Sequence, residues 1–303
     1  MRALVVGSSG FVGTYLVQHL RAMGDDVVTL DDKLDITDRN ELWRNLSAVG
    51  DLDVVFHLAA QSDVGRSWTE SQLTYNVNIL GTANLCDAIV ELSPRARFVF
   101  ISSSEVYGAP LSGELPLKES SPLRPVTPYA ASKAAAEMIC RQAHFGSGLD
   151  VVIARSFNHT GPGQRSDFVV SGLAQRVAHA LLLNPERGVV RVGTMSSRRD
   201  FTDVRDVVRA YRLLGTEALT GDTFNVCSGR SHAISEIAEI LSRSAAGEVA
   251  FEVDQALVRP VEVEEVVGSF ELLNRQTGWR PEITFEATVQ SLLQHWQAVL
   301  ESE

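Results

Sequence analysis

Of 303 residues, 45% are hydrophobic, a globular composition with length enough for one large or two small domains. No apolar run reaches the ~18 residues of a membrane span, and the opening "MRALVVGSSG" is broken too soon by glycine for a signal peptide. A formal net charge of −11 without any basic run excludes nucleic acid as a general partner, so an anionic small ligand would have to be met by a few placed arginines.

In chain order, "RALVVG" reads as a buried strand and "GFVGTYLVQHLRAMG", ending at Gly24, as an amphipathic helix. Between them "GSSGFVG" sets Gly7, Gly10 and Gly13 at even spacing around Phe11 and Val12. Glycines at a strand-to-helix turn allow close backbone approach to a diphosphate and close helix packing, and the helix N-terminus offers free N–H groups. The five residues are candidate cofactor contacts. "DVVTLD" is a second strand, ending at Asp31, 18 residues beyond Gly13. A carboxylate there can accept both ribose hydroxyls of NAD and repels a 2′-phosphate. Asp32 is the rival for that role. Two acids with no arginine beside them favour NAD, with NADP possible, and an inward-turned Lys33 would relax the preference.

"DRNELWRNLSAVG" is helical with Asp38 as its N-cap, and "LDVVFHLAA" is a third strand. The alanines that follow it let the backbone of Leu58, Ala59 and Ala60 lie against a cofactor, with Gln61 next on the substrate side. His57 reads as a packed residue. "TYNVNILGTANLCDAIVELS" is one long helix carrying Asn78 beside the cofactor, and "RFVFISSS" is a strand ending in Ser102, Ser103 and Ser104. Ligands sit at the C-terminal ends of strands in open parallel sheets. "TPYAASKAAAEM" starts another helix, on which Tyr129 and Lys133, four residues apart, share a face. A phenol of ordinary pKa ~10 is a poor proton shuttle. A neighbouring ammonium and a nicotinamide cation favour phenolate and are expected to bring that pKa down. "LDVVIARSF" is the next strand.

Val/Ile/Leu strands separated by helices imply an α/β fold, a doubly wound parallel sheet of the Rossmann type over residues 1–157. After Asn158 the pattern turns irregular, with helices near Val169–Leu183, Val204–Gly215, Ile234–Ser244 and Thr284–Leu300 among short strands such as "VVRV" and "TFNV". Residues 158–303 are therefore expected to form mainly a smaller, discontinuous α/β substrate lobe, with part of 186–227 returning to the main sheet. Cys86, Cys140 and Cys227 lie far apart without metal-ligand spacing, so no metal is expected. Their odd, sparse count fits a reducing cytoplasm.

The G-x-x-G-x-x-G spacing, then "HLAA", "SSSEVYG" and Y-x-x-x-K in that order, resembles the extended short-chain dehydrogenase/reductases. The resemblance implies NAD or NADP, with Ser103 as the hydroxyl that holds the substrate oxygen, Tyr129 as acid/base, and Lys133 also holding the nicotinamide ribose. It places Asp35 near the adenine and makes Asn78 structural. Ser102 falls on the cofactor side and Ser104 on the substrate side. In nucleotide-sugar 4,6-dehydratases, a Glu at the position of Glu105 removes and returns a proton, after Thr-Asp or Thr-Ser where this chain has Ser103-Ser104. Glu105 therefore leaves the reaction open. A non-catalytic, cofactor-sensing protein could keep the glycine loop and lose the triad, whereas Ser103, Tyr129 and Lys133 are all present.

"RSFNHTGPGQ" (Arg155–Gln164), "SSRRDFTDVRDVVRAY" (Ser196–Tyr211), "FNVCSG", "VRPVEVEEVVGS" and "TGWRP" resemble the GDP-4-keto-6-deoxy-D-mannose reductases. GDP-mannose 4,6-dehydratases share several of these strings. The implied activity is NAD(P)H-dependent reduction of the C4 keto group of a GDP-linked 4-keto-6-deoxy hexose, giving a GDP-D-rhamnose-type product, with a nucleotide-sugar dehydratase or epimerase as the alternative. A diphosphate calls for bidentate guanidinium groups. By the resemblance these are Arg199 and Arg259, with Arg198 competing. Asn158 would touch phosphate or sugar, and Gln164, Phe168 and Val169 would lie near the base. A cytoplasmic homodimer is implied, through the helices containing Asn78–Leu92 and Tyr129–Phe145.

Overall fold

The computed structural model describes residues 1–257 and 263–302. Six strands form a parallel sheet in the spatial order Asp26–Thr29, Arg2–Val6, Val54–His57, Arg97–Ser103, Asp150–Ser156 and Thr223–Val226. Side chains alternate between its faces, because a strand has a period of two. Ala3, Val5, Phe56 and Val99 point to one face, where they pack against Leu16 and Leu20 of helix Phe11–Ala22 and Val207 and Leu214 of helix Val204–Thr216. Leu4, Val6, Val55, Phe98 and Phe100 point to the other, against Leu42 of Arg39–Ser47, Leu85 and Ile89 of Gly81–Leu92, and Ala136 and Cys140 of Pro128–Ser147. Both faces are covered, which is why these strands read as unbroken apolar runs rather than alternating ones.

The strand order reverses direction at Arg2–Val6, whose neighbours are the second and third strands of the chain. A crevice opens beyond the C-terminal strand ends at such a switch point. Past Ser156 the chain builds a second sheet around Arg198–Asp203, paired with Asn158–Thr160, Glu265–Val266 and Ser231–Ala233. Helices Val169–Leu183, Ile234–Ser244 and Phe285–Glu301 bury Leu173, Val177, Ile237, Leu241, Val289 and Leu292 there, in a core of their own. Between these elements, Val204–Thr216 and Thr223–Val226 return to the main sheet, while Arg187–Val192 pairs instead with Glu248–Val253.

The expected long helix carrying Asn78 is interrupted. It runs as Ser71–Tyr75, a π-helical turn Asn76–Leu80, and Gly81–Leu92. A short helix, Val64–Thr69, precedes it, capped by Asp63, which accepts from the Arg66 N–H at 2.9 Å.

Candidate active site

A cleft of about 1200 Å³ lies along the C-terminal strand ends. Its floor depends on two glycines. Gly7 has φ +89°, and a Cβ there would stand 2.7 Å from the Ala59 nitrogen. A Cβ on Gly13 would stand 2.1 Å from the Gly7 carbonyl oxygen. Side chains at either place would push the turn, the loop after the third strand and the first helix apart. That helix starts at Gly10 with no side-chain cap and no acidic residue in its first turn. Its free N–H groups and positive dipole end face the cleft, a cradle that fits the diphosphate of a dinucleotide. Phe11, Val12, Leu58, Ala59, Ala60 and Asp35 line the same region.

Deeper in, helix Pro128–Ser147 begins with Thr127 as N-cap, its Oγ1 accepting from the Ala130 N–H at 3.0 Å, and Pro128 in the first turn. This start buries Tyr129 and Lys133 one turn apart at the end of the strand Arg97–Ser103. Ser103 stands close enough to the Tyr129 hydroxyl for hydrogen bonding to lower its pKa, and the Ser103 oxygen accepts from the Glu105 N–H at 3.2 Å. Lys133 Nζ donates to the Ile101 carbonyl at 2.6 Å and lies 4.8 Å from the centre of the Phe100 ring.

The electrostatics differ from the expected acidic phenol. Burial pushes the Tyr129 hydroxyl up to about 12, opposed by the Ser103 hydrogen bond and assisted by the charge of Glu105. Burial brings the Lys133 ammonium down to about 8. For both groups desolvation is the largest cause. Tyr129 is accordingly a protonated donor at neutral pH. Burial also raises the Glu105 carboxyl, against the lowering charge of Arg199. Glu105 and Ser104 both line the cleft beside these groups.

Several expected contacts have other work. Asn78 does not reach the cleft wall. Its amide takes the Gln61 N–H at 2.8 Å and donates to the Gln61 carbonyl at 3.1 Å and to Ser132 Oγ at 2.8 Å, and Ser132 Oγ donates to the Tyr129 carbonyl at 2.7 Å. The π turn thereby ties the loop after the third strand to the first turn of the Tyr129 helix. His57 Nε2 meets Thr82 Oγ1 at 2.9 Å, and Thr82 donates to the Asn78 carbonyl at 2.6 Å. Gln61 lines the cleft, but its side chain is held by the Asp63 backbone. Ser102 donates to buried Glu137 at 2.6 Å, which takes its hydroxyl away from a cofactor.

The expected ribose acceptors, Asp31 and Asp32, are exposed and stand outside the cleft wall. One oxygen of Asp31 instead closes its own turn, accepting from the Lys33 N–H at 2.9 Å. Asp35 reaches the wall and accepts from the Thr37 N–H and hydroxyl at 2.8 and 2.7 Å.

The far wall comes from the second lobe. Asn158 is exposed and lines the cleft; Phe168 and Val169 are 40% and 39% exposed at its mouth, at the start of a second helix without a side-chain cap. Gln164 is buried and spends its amide on its own loop, accepting from Thr160 Oγ1 at 2.6 Å and donating to the His159 carbonyl at 3.0 Å. Arg199 is not in the wall. It donates to the carbonyls of Arg198 and Val263, both at 2.8 Å, within electrostatic reach of Glu105. Arg198 turns to Glu236 at 2.9 Å and to Ser231. Arg259 lies outside the described residues.

Tyr15, which the motifs did not single out, helps Phe11 close the two lobes on each other. Tyr15 donates from its hydroxyl to the Pro162 carbonyl at 2.9 Å, and the Phe11 ring stacks on His159 at 6.4 Å. Tyr15 stands four residues past Phe11 on one helix face, and that spacing was the available signal. Arg66 and Arg165 also line the cleft, paired at 2.8 Å with Glu70 and 2.7 Å with Asp167.

Comparison with known proteins fits this geometry. The family described as GDP-mannose 4,6 dehydratase matches residues 29–292. The GDP-6-deoxy-D-mannose reductase of Pseudomonas aeruginosa is 36% identical, across 100% of this chain and 99% of the relative. The GDP-mannose 4,6-dehydratase of Vibrio cholerae is 27% identical, across 86% of this chain and 76% of the relative. A solved structure of RMD from Pseudomonas aeruginosa complexed with NADPH superposes with a TM-score of 0.87 at 36% identity, covering 99% of this chain and 100% of that one.

Proposed function

The chain belongs to the GDP-mannose 4,6-dehydratase family of short-chain dehydrogenase/reductases, and on that premise we propose that it reduces the C4 keto group of a GDP-linked 4-keto-6-deoxy hexose to a GDP-D-rhamnose-type product. The observation that carries the reading is that Tyr129 and Ser103 line the same cleft side by side, with burial holding Tyr129 protonated. A bound nicotinamide dinucleotide, NADH or NADPH, supplies the hydride.

The chain's own groups handle the oxygen. Ser103 Oγ accepts from the Glu105 N–H, which leaves its proton free to point at the carbonyl oxygen of the substrate. Tyr129 gives its proton to the same oxygen as negative charge develops, the protonation state that reduction needs. Lys133 keeps two N–H donors beyond the one spent on Ile101, enough to hold a ribose hydroxyl. Its positive charge favours the phenolate left behind. Fixing these groups on one strand end and one helix turn aligns donor and acceptor before the reaction.

Residues 1–157, with the returning strand Thr223–Val226 and its covering helix, are the lobe assigned to the dinucleotide. Residues 158–303 otherwise carry the nucleotide sugar. Asn158, Phe168 and Val169 offer a polar and apolar wall, and the uncapped helix start beside them suits a second diphosphate. By the family resemblance the guanidinium contact falls to Arg259, while Arg199 stands behind the wall, bonded to the Arg198 and Val263 carbonyls and within electrostatic reach of Glu105. Met138 and Phe145, 51% and 79% exposed on helix Pro128–Ser147, support a homodimer through that helix and Gly81–Leu92. Three unpaired cysteines suit a reducing cytoplasm.

One observation favours a second reading, a 4,6-dehydratase: Glu105, its carboxyl raised by burial, faces the same cleft as Tyr129. Incubation with a panel of GDP-sugars and their 4-keto derivatives separates the two. Stoichiometric loss of NADH or NADPH absorbance with the 4-keto compound supports the reductase. Water loss from GDP-mannose without net redox, abolished in Glu105→Gln, replaces it.

A further inference from the structure

A pair of buried charges lies directly beneath the reacting groups, and the chemistry above does not use it. Glu137 has no exposed surface and Arg155 is 3% exposed. They meet through two parallel hydrogen bonds, Arg155 Nε to Oε1 at 2.9 Å and Nη2 to Oε2 at 2.7 Å. Arg155 Nη1 donates to the Tyr107 hydroxyl and the Glu119 carbonyl, both at 3.0 Å, and Tyr107 donates to Asn225 at 2.7 Å. The same Glu137 Oε1 also accepts from Ser102 Oγ at 2.6 Å. Ser102 is the residue before Ser103, and Glu137 stands one helical turn beyond Lys133 and two beyond Tyr129. A buried ion pair is weak evidence for stability, since apolar residues of like volume serve the fold as well or better. Its placement calls for another reason.

We propose that Glu137 and Arg155 are a positioning pair for the reacting groups: Glu137 holds Lys133 in its ammonium form and, through Ser102, sets the strand end that carries Ser103 opposite Tyr129. Arg155 fixes the orientation of the carboxylate through the two parallel hydrogen bonds. The inference rests on the reading of Ser103, Tyr129 and Lys133 as the reacting groups. The groups around Lys133 are the Ile101 carbonyl and Phe100 ring on the neighbouring strand, His57 on the next, and Tyr129, Glu137 and Cys140 on its own helix. Burial keeps His57 neutral and raises the Cys140 thiol well above its ordinary range, so that it too stays neutral. Glu137 is then the anion whose charge supports the ammonium.

The chain has three lysines, Lys33, Lys118 and Lys133, and the first two are exposed. Protein labelled with ¹³C-lysine therefore gives three Cε signals, with Lys133 assigned by Lys133→Arg. In the Glu137→Gln/Arg155→Met variant, which leaves no lone buried charge, the Lys133 midpoint should fall by about one pH unit, while Lys33 and Lys118 stay in place. If that variant does not fold, Glu137→Asp should show a smaller fall in the same direction. An unmoved Lys133 midpoint in a folded variant overturns the electrostatic half of the proposal. Ser102→Ala keeps the ion pair and should lower kcat about tenfold, a lost hydrogen bond's worth, with KM for the dinucleotide within about twofold. An unchanged kcat overturns the strand half. The lysine titration uses no substrate, so it still reports on Glu137 if no GDP-sugar is reduced.

Discussion

Lys133 Nζ lies 2.6 Å from the carbonyl oxygen of Ile101, two residues before Ser103 on the same strand. The ammonium is thus fixed to the strand whose end carries Ser103, beside Tyr129 in the cleft. Strand and helix are locked at the point where a proton and a hydride would converge, and the consequences can be measured.

Tyr129→Phe keeps the ring and loses the proton. kcat/KM should fall by roughly 10²–10⁴, the usual contribution of a positioned general acid. Dinucleotide affinity, followed by fluorescence titration, should change by no more than a few-fold. Near-normal turnover would remove Tyr129 from the reaction.

The pH profile follows from burial. Lys133 is brought down from 10.5 to about 8. Its charged form supports the reaction and is present below that value. The rate should hold on the acid side and decline about tenfold per pH unit above about 8. Tyr129, pushed up to about 12, does not titrate in this window. A profile flat to pH 10 would contradict the Lys133 assignment.

The glycine floor is tested by Gly13→Ala. Its Cβ would meet the Gly7 carbonyl oxygen at 2.1 Å, so main chain must move. Overpacking of this kind costs about 1–3 kcal/mol. Dinucleotide Kd should rise roughly ten- to a hundredfold, as read by calorimetry.

Asn78→Ala removes the side chain that joins the Gln61 backbone to Ser132. Buried donors and acceptors would be left without partners, worth about 1–3 kcal/mol. Urea unfolding should show a loss of that size, and the dinucleotide should bind more weakly, because the Ala59–Gln61 loop is released.

The elements legible in the sequence were those decided locally. The glycine turn, the Asp38 cap and the Tyr129–Lys133 spacing each lie within one or two turns of chain, and the returning strand Thr223–Val226 read as a strand on composition. The features that were not legible depend on partners distant in sequence. Glu137 meets Arg155 across 18 residues and Tyr107 meets Asn225 across 118, and no periodicity encodes such pairs. The π turn at Asn76–Leu80 shifts Asn78 by a fraction of a turn that a 3.6-residue pattern cannot express. Asp31 and Asp32 were placed by counting from Gly13, yet their side chains follow the tight turn after the second strand and face outward. The acidic phenol was inferred from neighbouring charge alone, and burial reversed its sign.

His57 gives an independent check on the floor of the site. Burial brings it from 6.5 down to about 3, so it stays neutral in the folded chain. As pH falls from 6.5 to 3 the unfolded chain takes up a proton that the folded chain refuses, and stability drops. In His57→Gln the slope of unfolding free energy across that window should be shallower by about 1.4 kcal/mol per pH unit.

Transfer of the label from [4-²H]NADH or [4-²H]NADPH to a GDP-linked 4-keto-6-deoxy hexose, read by NMR of the sugar product, tests the proposed chemistry most directly. The expected result is one deuterium at C4, with the transfer lost in Tyr129→Phe. Deuterium at C6, or none in the sugar while water is lost from GDP-mannose, would contradict it.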